Sequence, residues 1–191
     1  MVEIRVSFFN GSINAVKIRN GDQAYNEIIS QLDEQARQLF EKPISDTGWY
    51  PLDSFVKFLE QDIKLTANGD ENVLVTRAEA VDKKYIRDIY GSFVKSEPPE
   101  FFIKHHSILH QGYFRGVSIE IQFDGLNKAI IRYIGFEKQH KLIEPTIIGY
   151  YKKVLEISGV TDIHTKSLTN PGKPPALPGD SKSLTFSGVK Q

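Results

Sequence analysis

The sequence predicts an α+β protein with an antiparallel sheet, on three observations. Helical periodicity runs through the first half of the chain, whereas the second half reads strand, strand, helix, strand, strand, an order that fits an antiparallel sheet better than a doubly wound one. Val117, Ile119, Ile121 and Phe123 alternate with Ser118, Glu120, Gln122 and Asp124, and Asp124-Gly125 then marks a tight turn into a β-branched strand over 127–136. Glu144 and Pro145 open a helix in which Ile147, Ile148, Tyr151, Val154 and Leu155 fall at helical spacing, and Gly159 stops it.

Near the N-terminus two readings compete. Ile4, Val6 and Phe8 alternate before Asn10-Gly11, with Ile13, Val16 and Ile18 beyond, which is a hairpin signal. Alternatively, Ser12 caps a short helix reaching about Arg19. Asp22 then caps a helix carrying Tyr25, Ile28, Ile29 and Leu32, and Asp33 caps a shorter one carrying Ala36, Leu39 and Phe40. A polar loop over 41–48 ends in Trp49-Tyr50-Pro51, where Trp49 is the only tryptophan. Leu52, Phe55, Val56, Leu59 and Ile63 form the next helical stripe. A loop over 67–72 precedes a long helix with Ala78, Val81, Tyr85, Ile89 and Phe93 inward, which Pro98 and Pro99 close. A helix over 101–110 leads into the central unit, and strands over 160–168 and 183–188 follow, separated by a proline and glycine loop.

A chain of 191 residues buries roughly 70 per cent of its unfolded surface, so a single domain over 1–191 is expected, with a flexible loop at about 169–180. The absence of cysteine excludes disulfides, thiolate metal sites and cysteine nucleophiles. Lys plus Arg and Asp plus Glu balance at 24 each, which removes the positive field that nucleic acid would want. The N-terminal segment does not read as a signal peptide and no run is long and apolar enough for a membrane span, so a cytoplasmic protein is expected.

His106 and His110 stand one helical turn apart and form the weak alternative for a metal site, with His105 beside them. No carboxylate lies at a fitting local spacing, and helix surface or a satisfied core edge is the plainer role for these histidines. Phe101-Phe102, Tyr113-Phe114 and Tyr150-Tyr151 are aromatic pairs in which one member is expected to pack inward and the other to reach a rim. Phe101, Phe102, His105, Tyr113, Tyr150 and Tyr151 are therefore the candidate ligand-binding residues, around a pocket between helices and sheet. Pro175-Ala176-Leu177-Pro178 offers a polyproline docking motif or a plain linker. Asn68, Asp70, Asn72 and Glu79 match places of a calcium-loop template, but Val73 stands where the sharp turn needs glycine. There is no glycine-rich phosphate loop, dinucleotide fingerprint, nucleophile elbow or zinc-protease motif.

The blocks WYPLDSFVKFLEQ at 49–61, IYGSFVKSEPPEFFIKHH at 89–106, YFRGVSIEIQF at 113–123 and IIGYYKKVLEISGV at 147–160 resemble an uncharacterised paralogous family abundant in myxobacteria. The likeness runs from about residue 12 to 188. That family is similar to heme-nitric-oxide-binding domains, 4-vinyl-reductase domains and, more remotely, subunits of the TRAPP vesicle-tethering complex. The resemblance implies a helical N-terminal half packed on a curved antiparallel sheet with a helix inserted between strand pairs, and it favours the helix at Ser12. It also implies a pocket that holds heme, an aromatic effector or an acyl chain in different relatives, or an interaction surface. The heme-binding branch clamps propionates with Tyr-x-Ser-x-Arg, where this chain offers Tyr113-Phe114-Arg115 with one residue in place of three.

The expectation is a non-enzymatic sensory or regulatory module for a small apolar ligand or a protein partner, with no cofactor and with homodimer formation as an option. The alternatives are a heme- or metal-based gas sensor using one of His105, His106 and His110, with heme as the weak cofactor alternative, and a small enzyme whose site is assembled only in the fold.

Overall fold

The computed structural model describes residues 1–41, 48–79, 98–123, 128–169 and 181–190, and of these only the backbone at 6–9, 99, 106, 109, 138–139, 166–169 and 181–190. Strand β1 (Glu3–Arg5) runs directly into helix α1 (Val6–Ser30). The hairpin reading at Asn10-Gly11 is thereby corrected, and the helix starts well before Ser12. Ile13 and Val16 are both buried. A strand would point residues three apart to opposite faces, whereas a helix puts them on one. Helix α1 is broken at Gly21, whose φ of 82° suits a residue without a side chain, so a new helical run begins at Asp22 as expected. Asp33 caps α2 (Glu34–Glu41) by accepting the Ala36 N–H at 2.9 Å. The Lys57 ammonium and then that N–H hold the Asp33 carboxyl below the usual carboxylate range.

Trp49, Tyr50 and Pro51 are not the end of a loop but strand β2 (Trp49–Pro51), antiparallel to β1. With β3 (Phe114–Arg115) on the other side of β1, they make a three-stranded sheet that the local pattern does not announce. Helix α3 (Leu52–Thr66) buries its whole expected stripe and adds Phe58, which stacks on Phe40 at 5.1 Å. The following loop turns through positive φ at Asn68 and Gly69 into α4 (Val73–Glu79). Asp70 Oδ1 accepts both the backbone and side-chain N–H of Asn72, and Glu79 pairs with Lys152, so the calcium-loop template is an ordinary turn. Ala78 is buried; Val81, Tyr85, Ile89 and Phe93 lie outside the described residues, as do Asp124-Gly125 and the 175–178 motif.

Helix α5 (Pro99–Gln111) leads through β3 to β4 (Ser118–Phe123) and β5 (Lys128–Ile134), which pair antiparallel from Ser118↔Ile134 to Phe123↔Ala129. A 3-10 turn (Lys138–Leu142) precedes α6 (Ile143–Ile157), then β6 (Val160–Thr169) and β7 (Ser181–Lys190). The larger sheet has the order β4-β5-β7-β6, all antiparallel, with α6 inserted between the strand pairs in sequence. The protein is thus α+β. Ile4 of the small sheet, Leu52 and Phe55 of α3, Ile131 and Tyr133 of β5 and Tyr151 of α6 belong to one buried cluster.

Candidate functional site

On α5, Ile103, Ser107 and His110 follow the i, i+4, i+7 spacing of one helical face, and all are buried. On β5, Tyr133 shares its face with the buried Ala129 and Ile131, and Tyr151 lies on the inner stripe of α6. The three elements thereby bring polar atoms together in the core. His110 Nδ1 lies 2.5 Å from Tyr133 Oη, Tyr133 Oη lies 3.4 Å from Tyr151 Oη, and Tyr151 Oη lies 2.9 Å from Ser107 Oγ. Ser107 donates to the Ile103 carbonyl at 2.8 Å. That last bond fixes the direction of the whole chain, because each hydroxyl has one proton. Tyr151 donates to Ser107, Tyr133 donates to Tyr151, and His110 donates through Nδ1–H to Tyr133.

Aromatic rings enclose the chain. Tyr113, Phe114, Tyr133, Tyr150 and Tyr151 all have ring centroids within 6.3 Å of the His110 imidazole. Burial pushes the His110 pKa down to about 3. It pushes Tyr151 up to about 12, against the opposing effect of its hydrogen bonds with Ser107 and Tyr133, and raises Tyr133 well above the usual phenol value. The site is therefore neutral near pH 7: a buried, directional hydrogen-bond chain between α5, β5 and α6.

Each aromatic pair has one buried member, namely Phe102, Phe114 and Tyr151, while Phe101, Tyr113 and Tyr150 are half-buried. The structure brings Tyr113, Tyr150 and Tyr151 together around His110. Phe101 and His105 form a separate group, their rings 3.9 Å apart on an exposed part of α5. His105 Nδ1 donates to the Phe101 carbonyl at 3.1 Å, which leaves Nε2 as the lone-pair nitrogen. The His106 side chain lies outside the described residues. Of the His106/His110 pair, the structure places His110 in the core, its Nδ1 donating to Tyr133 inside a cage of aromatic rings. Among the described residues no three His, Asp or Glu side chains converge as a metal site would need. Tyr133 is the functional candidate that the sequence does not single out; its place on the buried face of an alternating strand is the signal, since a buried phenol requires a partner.

Heme can be tested on the same residues. Arg115 of Tyr113-Phe114-Arg115 lies over the Trp49 ring at 4.0 Å and pairs with Glu3, on the small sheet and not at the enclosed site. The signature's spacing also fits Tyr133-Ile134-Gly135-Phe136-Glu137, with glycine in place of serine and glutamate in place of arginine. Glu137 caps the 3-10 turn through its carboxylate, and Tyr133 is bound to His110 and Tyr151. A carboxylate repels a propionate where a guanidinium would hold it, so the residues present do not fit that clamp.

A cleft of about 490 Å³ lies apart from this site, between α1 and α2, with Tyr25, Ile29, Phe40 and the Arg37–Glu41 ion pair in its wall. No described helix is long and apolar enough to cross a membrane.

No protein-family model and no curated protein matches the chain in sequence. In structure it is similar to the Fe(II) unliganded H-NOX protein from K. algicida, at 14% identity, with 98% of each chain covered and a TM-score of 0.69. A variant of the T. Tengcongensis H-NOX protein matches at 10% identity, 97% of each chain and a TM-score of 0.68. An oxygen-binding H-NOX domain related to soluble guanylate cyclases matches at 8% identity, over 97% of this chain and 95% of that one, with a TM-score of 0.66. Identities this low speak for architecture alone: the chain has the fold of the H-NOX, or heme-NO-binding, domains.

Proposed function

We propose that this chain is a non-catalytic sensory or regulatory module of the heme-NO-binding fold. A small ligand between helices and larger sheet, or a partner protein set against them, shifts α5 relative to β5 and α6. The observation that carries the reading is the hydrogen-bond chain from His110 through Tyr133 and Tyr151 to Ser107, which ties those three elements through one buried network. Networks of this kind favour discrete arrangements over continuous deformation. Phe102, Tyr113, Tyr150 and Tyr151 would line the ligand side. Kinship with the myxobacterial paralogous family and the 4-vinyl-reductase domains, a cytoplasmic location and homodimer formation belong to the same proposal.

Heme-based gas sensing is the second reading, favoured by the structural neighbours, which are H-NOX proteins, one of them an oxygen complex. His105 is the axial donor it would use, since the Phe101 carbonyl leaves Nε2 unprotonated, and Glu137 is the residue that speaks against it. Native mass spectrometry and absorbance of protein expressed with supplemented heme test both. An excess mass lost on denaturation, without a Soret band, supports the first reading. A Soret band abolished in His105→Ala supports the second, and a bare colourless chain removes both ligand readings and leaves a protein-interaction module.

A further inference from the structure

The small sheet has one face in the core and one in solvent. Ile4 of β1 is completely buried, so Glu3 and Arg5 on either side of it point the other way. Trp49 stands directly opposite Arg5 in the pairing with β2, and Arg115 directly opposite Glu3 in the pairing with β3. The register therefore sets Glu3, Arg5, Trp49 and Arg115 on one solvent-facing surface. The only tryptophan of the chain lies there between two guanidiniums, 4.0 Å from Arg115 and 5.7 Å from Arg5.

Charge on this patch does not balance, although the chain as a whole is neutral. Glu3 reaches Arg115 at 3.7 Å, an ion pair longer than a hydrogen bond, and Arg5 has no carboxylate partner among the described residues. Stacking on an indole occupies the flat face of a guanidinium and leaves its N–H edge to bind a carboxylate in two-point fashion. Arg5 is exposed, and the Arg115 side chain keeps 58% of its surface in solvent. Tryptophan and arginine are also the residue types that most often carry the energy of a protein interface.

We propose that this face is a docking surface for an acidic segment of a partner protein. Its carboxylates pair with Arg5 and Arg115, and an apolar side chain next to them lies against Trp49. The surface works independently of what occupies the helix-sheet region.

Because Trp49 is the sole indole, its fluorescence reports this surface and no other. The intact protein is titrated with a short, end-blocked peptide of glutamate and leucine. The expected result is a saturable change in Trp49 emission that weakens as salt is raised. Affinity falls about tenfold or more in the Arg5→Gln, Arg115→Gln double variant. Glu3→Gln tightens binding by releasing Arg115, an effect that a merely structural stack would not produce. Circular dichroism of each variant matches that of the parent. No saturable change, or a change that survives in the double variant, overturns the proposal. So does a stronger response to single-stranded RNA, to anionic lipid vesicles or to the matching lysine and leucine peptide, each of which assigns the face to a different partner.

Discussion

The His110 imidazole is ionisable, yet five aromatic rings lie around it and a phenol oxygen accepts from its Nδ1. Burial lowers its pKa from the ordinary 6.5 to about 3. Below pH 6.5 the unfolded chain takes up a proton that the folded chain refuses until about pH 3. Stability from this residue is therefore complete above 6.5 and is lost as pH falls through that window, with a slope approaching about 1.4 kcal/mol per pH unit. Urea unfolding across the window is expected to show this slope in the parent and a flatter one in His110→Asn. Tyr133→Phe removes a single oxygen but leaves the His110 N–H without its acceptor, so a loss of about 1–3 kcal/mol is expected at pH 7, with the denaturant slope unchanged. A loss below about 0.5 kcal/mol would mean that the 2.5 Å contact is not a working hydrogen bond.

Among the elements, the contact between α4 and α6 depends on Gly149. A Cβ there would lie 2.2 Å from the Val75 carbonyl oxygen and 2.8 Å from the Ala78 Cβ, and backbone cannot move aside as a flexible side chain can. Gly149→Ala is expected to cost about 1–3 kcal/mol by forcing the helices apart. Gly11 in α1 meets nothing within 4 Å, so Gly11→Ala is expected to be neutral or to stabilise by up to about 1 kcal/mol. Thermal melts check both, the Gly149 variant melting lower than the parent and the Gly11 variant at the same temperature or higher. What the sequence reveals at this scale follows length and periodicity. The α3 stripe and the β4/β5 alternation extend over enough residues to read locally. Strands β2 and β3, three and two residues long, exist only through pairing with β1 and have no period to detect.

Across the whole molecule, the features that escape a local reading are contacts between distant segments. That each aromatic pair has one inner and one outer member follows from sequence, but the partners of His110 do not, because Tyr133 and Tyr151 arrive on other elements. His140 is a second case. Its Nδ1 accepts the Glu137 N–H at 3.0 Å, so Nε2 carries the proton and donates to Asp53 Oδ1 at 2.9 Å, 87 residues away. The bond joins the turn that follows β5 to the first turn of α3, and Phe136 packs at a steep angle against the same imidazole at 6.0 Å. His140→Ala deletes both hydrogen bonds and leaves a cavity, with an expected cost of roughly 2–4 kcal/mol. Amide hydrogen exchange reads the consequence more sharply than a melt. If this bond couples the N-terminal helices to the sheet, protection falls together at the start of α3 and in the 3-10 turn, while the far end of α3, held by Asp62 to Arg77 at 2.5 Å, keeps its protection. Loss confined to the 3-10 turn would show that this bond does not couple the two halves.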